Sequence, residues 1–153
     1  MIFTPASRAR PTYSPITCFG PQVTDISLGY DHVSAAMGQI LALLAGADEI
    51  FAVTPAEHLG MPDEEQTRQG CIVAALACHS ADLARGLDRE MDHALSVARE
   101  AGSWEGQLPF ARDERVRAVL REAGEKGAGC SVCGDVCAYR VMSRLAGERA
   151  GER

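Results

Sequence analysis

Glu49-Ile-Phe-Ala-Val53-Thr-Pro-Ala-Glu-His58 decides the fold. Its first five residues are a short apolar, β-prone run, and Thr54-Pro55 ends it. Upstream lies Val33-Ser-Ala-Ala-Met-Gly-Gln-Ile-Leu-Ala-Leu-Leu-Ala45, small or apolar almost all round, as suits a helix packed closely on a sheet. Gly46 closes that helix. Before it, Ile16-Thr-Cys-Phe19 is another short β-prone run, stopped by Gly20-Pro21. Strand, helix and strand with no hairpin turn between them spell a parallel βαβ unit. In parallel α/β folds the working residues sit just past the C-terminal ends of strands. Glu57 and His58 fall there.

Outward from this unit the chain reads as helical. Met61-Pro-Asp-Glu-Glu65 opens a helix with proline near its first position and acids in its first turn, and the helix runs to about Arg85 before Gly86. A second helix spans Asp88–Ala101, with Met91, Leu95 and Ala98 at helical spacing, and Trp104-Glu-Gly-Gln-Leu108 interrupts. Asp113–Ala123 places Val116, Val119, Leu120 and Ala123 on one face; Ala138, Val141, Met142 and Leu145 repeat that spacing in a last short helix. The prolines at 5, 11 and 15 mark residues 1–15 as a loose arm, and residues 147–153 have little reason to be ordered. Between them lie an α/β part (16–86), a helical region (87–125) and a cysteine-rich loop with its helix (126–146). Two parallel strands do not make a self-sufficient sheet of this class. The chain is either mostly helical with a small sheet or, the reading preferred, the back portion of a larger (β/α)₈ barrel.

The chemistry-bearing residues gather in two places. Cys130-Ser-Val-Cys133-Gly-Asp-Val-Cys137 follows a glycine-rich run, Gly124 to Gly129. Three thiolates on one short loop can hold a metal or an iron–sulfur cluster. A fourth would close a tetrahedral zinc site, and none follows Cys137. A three-cysteine cluster leaves one iron open to a small molecule, but Cys-x₂-Cys also opens zinc sites, so spacing alone leaves both. Cys71 and Cys78, two turns apart on one helix face, read as core. His58 is either a metal ligand, needing a partner from elsewhere, or a hydrogen-bonded residue at a strand end; Glu57 is an acid for orienting it or a substrate contact, and the sequence does not decide. Hydrogen bonding around the strand ends accounts for Asp31 and His32, and His79 and His93 read as structural. The formal net charge of −6 excludes a nucleic-acid footprint for the chain as a whole. There is no run of about 18 apolar residues and no basic-then-apolar leader at Met1. Six cysteines without an export signal point to a reducing compartment, the cytoplasm.

Five strings, in order, carry a resemblance. Phe19-Gly-Pro-Gln-Val-Thr-Asp25, Gly29-Tyr-Asp-His32, Val53-Thr-Pro-Ala-Glu-His-Leu-Gly60, Trp104-Glu-Gly-Gln107 and Cys130-Ser-Val-Cys-Gly134 are similar to strings of the C-terminal part of the phosphomethylpyrimidine synthase (ThiC) family, radical S-adenosylmethionine enzymes of thiamine biosynthesis. The resemblance implies a (β/α)₈ barrel, a helical region and a C-terminal cluster loop. It implies rearrangement of aminoimidazole ribotide to hydroxymethylpyrimidine phosphate, started when a [4Fe–4S] cluster reductively cleaves S-adenosylmethionine to a 5′-deoxyadenosyl radical. By the same resemblance Cys130, Cys133 and Cys137 match the cluster ligands and His58 matches one of two histidines that hold a zinc or iron ion. It further implies a homodimer, in which the cluster loop of one subunit covers the barrel of the other, or a partner chain supplying the rest of the barrel. This sequence departs from the family pattern in three ways. The second cysteine gap has three residues where the family has four, Thr17 stands where the family has a substrate-touching tyrosine, and the other metal histidine belongs upstream of the match. The 5-hydroxybenzimidazole synthases of anaerobic cobamide biosynthesis resemble the same strings, and a non-catalytic cluster- or zinc-binding remnant is the further alternative.

Overall fold

Strands β1 (Ile2–Phe3), β2 (Thr17–Cys18) and β3 (Glu49–Phe51) form a small sheet in the order β1-β3-β2. The computed structural model describes residues 2–3, 14–122 and 132–151, which fall into two compact units dividing between Asp88 and Arg89. β2 and β3 run parallel, with Thr17 opposite Glu49 and Cys18 opposite Ile50. Helix α1 (Asp31–Ala45) connects them, so the βαβ unit expected from 16–53 is present. The Thr17 hydroxyl donates to Glu49 Oε2 at 2.7 Å, and the Ile16 amide donates to Asp48 Oδ2 at 3.0 Å. These bonds anchor the start of β2 beside the start of β3.

Two residues of the stretch read as a loose arm lie in the sheet. Ile2 and Phe3 pair antiparallel with Phe51 and Ile50. Two β-prone residues suffice, because β3 otherwise offers a row of unpaired backbone groups on that side. The first unit is thus α/β with helix predominating, and one of its three strands is antiparallel.

Helix α1 begins two residues before the expected Val33 and stops at Gly46, whose N–H reaches the carbonyls of Ala42 and Leu43. Helix α2 (Glu64–Ala84) starts on a reciprocal cap. Asp63 Oδ1 accepts from the Gln66 amide at 2.7 Å, and Gln66 Oε1 accepts from the Asp63 amide at 3.0 Å. The core is built from α1, β3 and α2: Leu43, Ala47 and Ile50 meet Ala74, Ala77, Cys78 and Ala81. Small residues on α2 allow it to lie close to the sheet, and burial pushes the Cys78 thiol up to about 11. Both halves of the Cys71–Cys78 expectation therefore differ in degree: Cys78 is buried and Cys71 half-buried.

Two contacts set the loops that carry the site. The loop after β2 crosses α1 at Gly38, where any side chain would overlap the Pro21 carbonyl. The buried Gln39, one residue on, donates its amide to the Phe51 carbonyl at 2.6 Å and pins α1 to the end of β3.

The second unit holds α3 (Arg89–Glu100), α4 (Trp104–Gln107) with a 3₁₀ turn at Leu108–Phe110, α5 (Val116–Glu122), a 3₁₀ turn at Gly134–Val136 and α6 (Ala138–Gly151). Ser103 caps α4 by accepting from the Gly106 amide at 3.0 Å. Helix α6 runs through most of the segment expected to be an unordered tail. Ala, Glu and Arg are good helix formers, and their propensity carries it past Gly147. No residue of this unit is fully buried among those described. No helix among the described residues is long and apolar enough to cross a membrane.

Candidate metal and cluster sites

Past the end of β3 the chain turns sharply. The Glu57 amide donates to the Thr54 carbonyl at 3.1 Å, and the amides of Leu59 and Gly60 reach the Ala56 carbonyl at 2.9 and 3.1 Å. Val53 and Ala56 point inward and anchor the turn. His58 sits at its tip in the left-handed region, φ 62°, a conformation that costs a residue with a Cβ on the order of 1 kcal/mol. That backbone holds the imidazole outward, with 65% of its side chain exposed.

The ring is nevertheless held. His58 Nδ1 lies 3.0 Å from Asp31 Oδ2, at the first turn of α1. Asp31 is 3% exposed, and its other oxygen, Oδ1, accepts from the Ser27 hydroxyl at 2.7 Å. The Ser27 hydroxyl first, then the His58 ring and the Gln22 amide, hold the Asp31 carboxyl below the usual carboxylate range, against the opposing pull of burial. The acid that meets His58 is thus Asp31, 27 residues away in sequence. Glu57, offered for that place from its position in the chain, is half-buried and lines a cavity of about 320 Å³ beside the same ring, with Phe19, Gln22 and Phe51. Phe19 and Phe51 stack there, ring centroids 4.3 Å apart.

Two neighbouring strings and a distant one therefore converge: Phe19–Asp25 through Gln22 and Gly29–His32 through Asp31, with Val53–Gly60 through His58. The first string is tied to α1 by Ser34, whose hydroxyl accepts from the Val23 amide at 3.2 Å and donates to the Thr24 carbonyl at 3.2 Å. His32 faces the other way, buried, with Nε2 taking the Gln69 amide at 3.2 Å; burial holds its pKa below the usual imidazole value. His79 is half-buried with Nδ1 3.8 Å from Asp88 Oδ2, and His93 is exposed on α3.

In the second unit Cys133 and Cys137 flank the 3₁₀ turn. Cys133 is exposed, Cys137 half-buried, and neither is in a disulfide. The Cys137 carbonyl accepts from the Val141 amide at 2.9 Å, so the second thiol stands at the start of α6. Another cavity of about 320 Å³ lies beside Cys137, lined by Trp104, Gln107, Tyr139 and Arg140. Cys130 lies outside the described residues. Among those described, no three or more His, Cys, Asp and Glu side chains come close enough together to hold a metal ion. The donors nevertheless suit the groups considered for them: an exposed imidazole with Nδ1 on a carboxylate can offer Nε2 to zinc or iron, and two accessible thiols on one turn are soft ligands for iron or zinc.

The acid-held imidazole at the end of a parallel strand would have drawn attention to Asp31 from sequence only through the string Gly29-Tyr-Asp-His32 and its place in a first helical turn. Fold and site define an α/β protein with a carboxylate–histidine pair past a parallel strand, followed by a helical unit bearing paired thiols. A family model described as the radical SAM ThiC family matches residues 6–144, and the chain belongs to that family. It is 46% identical over 138 residues to the 5-hydroxybenzimidazole synthase BzaA of Moorella thermoacetica. It is likewise 46% identical over 139 residues to the phosphomethylpyrimidine synthase of the same organism, and 45% identical over 139 to that of Thermococcus kodakarensis. Each of these matches covers 88 or 89% of this chain and 32% of the relative. The chain thus spans about a third of the length of the curated relatives it matches.

Proposed function

We propose that this chain is the C-terminal, cluster-bearing part of a ThiC-type radical S-adenosylmethionine lyase that converts aminoimidazole ribotide to hydroxymethylpyrimidine phosphate. The observation that carries the reading is the family match from 6 to 144, which takes in both the His58 turn and the cysteine turn. In this reading residues 16–86 are the last βα units of a (β/α)₈ barrel, and 126–146 hold a [4Fe–4S] cluster on Cys130, Cys133 and Cys137. That cluster, when bound, supplies the electron that opens S-adenosylmethionine to radical chemistry. His58 offers Nε2 to a zinc or iron ion, and Glu57 lines the adjoining cavity as a contact for substrate or for the metal's surroundings. The stacked Phe19–Phe51 pair gives that cavity an apolar wall. The rest of the barrel, with the second metal ligand and the ribotide phosphate contacts, comes from the part of the family protein that this chain does not span, joined in a homodimer or supplied by a partner chain. The cytoplasm is the compartment in which such a cluster and free thiols persist.

Anaerobic reconstitution of the chain with iron and sulfide, followed by optical and EPR spectra, tests the reading. A [4Fe–4S] signal that is lost in Cys133→Ala is expected. Stoichiometric zinc on the cysteines and no cluster signal would instead favour a zinc-binding remnant.

A second reading rests on the similarity to BzaA, whose 46% identity equals that to the pyrimidine synthase of the same organism. Both readings use the cluster and metal residues proposed here. The product formed from the ribotide, once the missing portion is supplied, separates a pyrimidine from a benzimidazole activity.

A further inference from the structure

Metal-binding imidazoles work through one ring nitrogen, and which one is free depends on what the other nitrogen holds. In this chain His58 Nδ1 faces a carboxylate that is 3% exposed and already takes a hydroxyl on its other oxygen. An ionised carboxylate only accepts, so the proton between the pair belongs to Nδ1 and the lone pair to Nε2. The ring stands on a strained left-handed residue with most of its surface in solvent, and among the described residues only Asp31 hydrogen-bonds it.

From this we infer that Asp31, braced by Ser27, is a positioning residue that locks His58 in the Nδ1–H tautomer and aims Nε2 at the metal. The inference rests on His58 being a metal ligand, but its main readout does not need a cluster, a substrate or turnover. Glu57 does not enter it. The arrangement also explains why a buried acid sits at the first turn of α1 with no Lys or Arg ion pair among the described residues. The neighbouring His32 faces Gln69 instead, and the positive end of the helix favours the charge.

The full 153-residue chain, labelled with ¹⁵N in its imidazoles and held at about pH 8 where histidines are neutral, reports the tautomer directly by two-bond ¹H–¹⁵N correlation. His58→Asn identifies the His58 signals. The wild-type ring is expected as the single Nδ1–H form, and Asp31→Ala as a mixture dominated by Nε2–H. Titration with zinc ion alone, read on the same signals, should need on the order of tenfold to a hundredfold more zinc in Asp31→Ala. Ser27→Ala keeps the carboxylate and should fall between the two. Circular dichroism checks that each variant folds; if Asp31→Ala does not, Asp31→Asn carries the test, its amide oxygen able to accept from Nδ1 without the charge. It should then keep the tautomer and lose part of the zinc affinity. An Nε2–H ring in the wild-type chain would overturn the inference. So would a folded Asp31→Ala with unchanged tautomer and zinc requirement. Failure of iron–sulfur reconstitution would count against the proposed function and leave this result standing.

Discussion

His32 follows Asp31 on α1 and is 4% exposed, with its Nε2 bonded to Gln69. Burial depresses its pKa, and the neighbouring Asp31 charge only partly offsets this. The sign of the pH effect follows. An unfolded histidine titrates near 6.5, so below about pH 6.5 the unfolded chain takes up a proton that the folded one refuses. This stabilisation is complete above that pH and is lost progressively as pH falls through the lower folded value. The Asp31 carboxyl, also depressed, contributes stability above its unfolded value of 3.8 and loses it only as pH falls below that value. The melting temperature followed by circular dichroism should drop between pH 7.5 and 5.5, and the drop should shrink in His32→Gln. An equal drop in that variant would place the pH sensitivity elsewhere.

At the scale of elements, the site depends on how closely a loop crosses a helix. Helix α1 was legible from its small and apolar run and its glycine stop. Its role as a platform was not, because Gly38 in a helix reads only as a weak position until Pro21 is seen against it. Gly38→Ala adds helix propensity but collides with the Pro21 backbone, and a backbone cannot swing aside as a side chain can. We expect a net loss of about 1–3 kcal/mol in urea unfolding, as for overpacked cores. The 20–25 loop should also shift, taking Gln22 from the site. A variant as stable as the parent would mean that the loop lies less tightly on α1 than the structure has it. Likewise the strands were found from short β-prone runs, yet the pairing of Ile2–Phe3 with β3 was not, since two residues carry no periodicity.

For the whole molecule, α1 presents Val33, Met37, Leu41 and Leu44 outward, each 43% or more exposed, and the segment before it exposes Ile26, Leu28 and Tyr30. Along α1 these side chains form one helical stripe opposite the buried face of Ala35, Gln39 and Leu43. Such a continuous apolar face calls for a cover. β2 has β3 on one side only, among the described residues. Both features suit a chain that spans a third of its relatives' length. By itself the protein is expected to self-associate at micromolar concentration and to bind a hydrophobic dye. Met37→Glu with Leu41→Glu should reduce both without loss of helix by circular dichroism. A wild-type chain that elutes as a monomer and binds no dye would show that the face needs no partner.

The sequence by itself determined the local order: a parallel βαβ unit from alternating apolar runs, helix starts and stops from proline, acids and glycine, and a cysteine turn from spacing. It also carried the family, because five short strings in fixed order survive without any knowledge of contacts. Only the tertiary structure decided which acid serves His58. Position in the chain left Glu57 open between that role and a substrate contact, and the left-handed turn at His58 swings the ring toward α1, where Asp31 waits 27 residues upstream. Pairings of that kind depend on how helix and turn pack together, and no periodicity or spacing within a single segment encodes them.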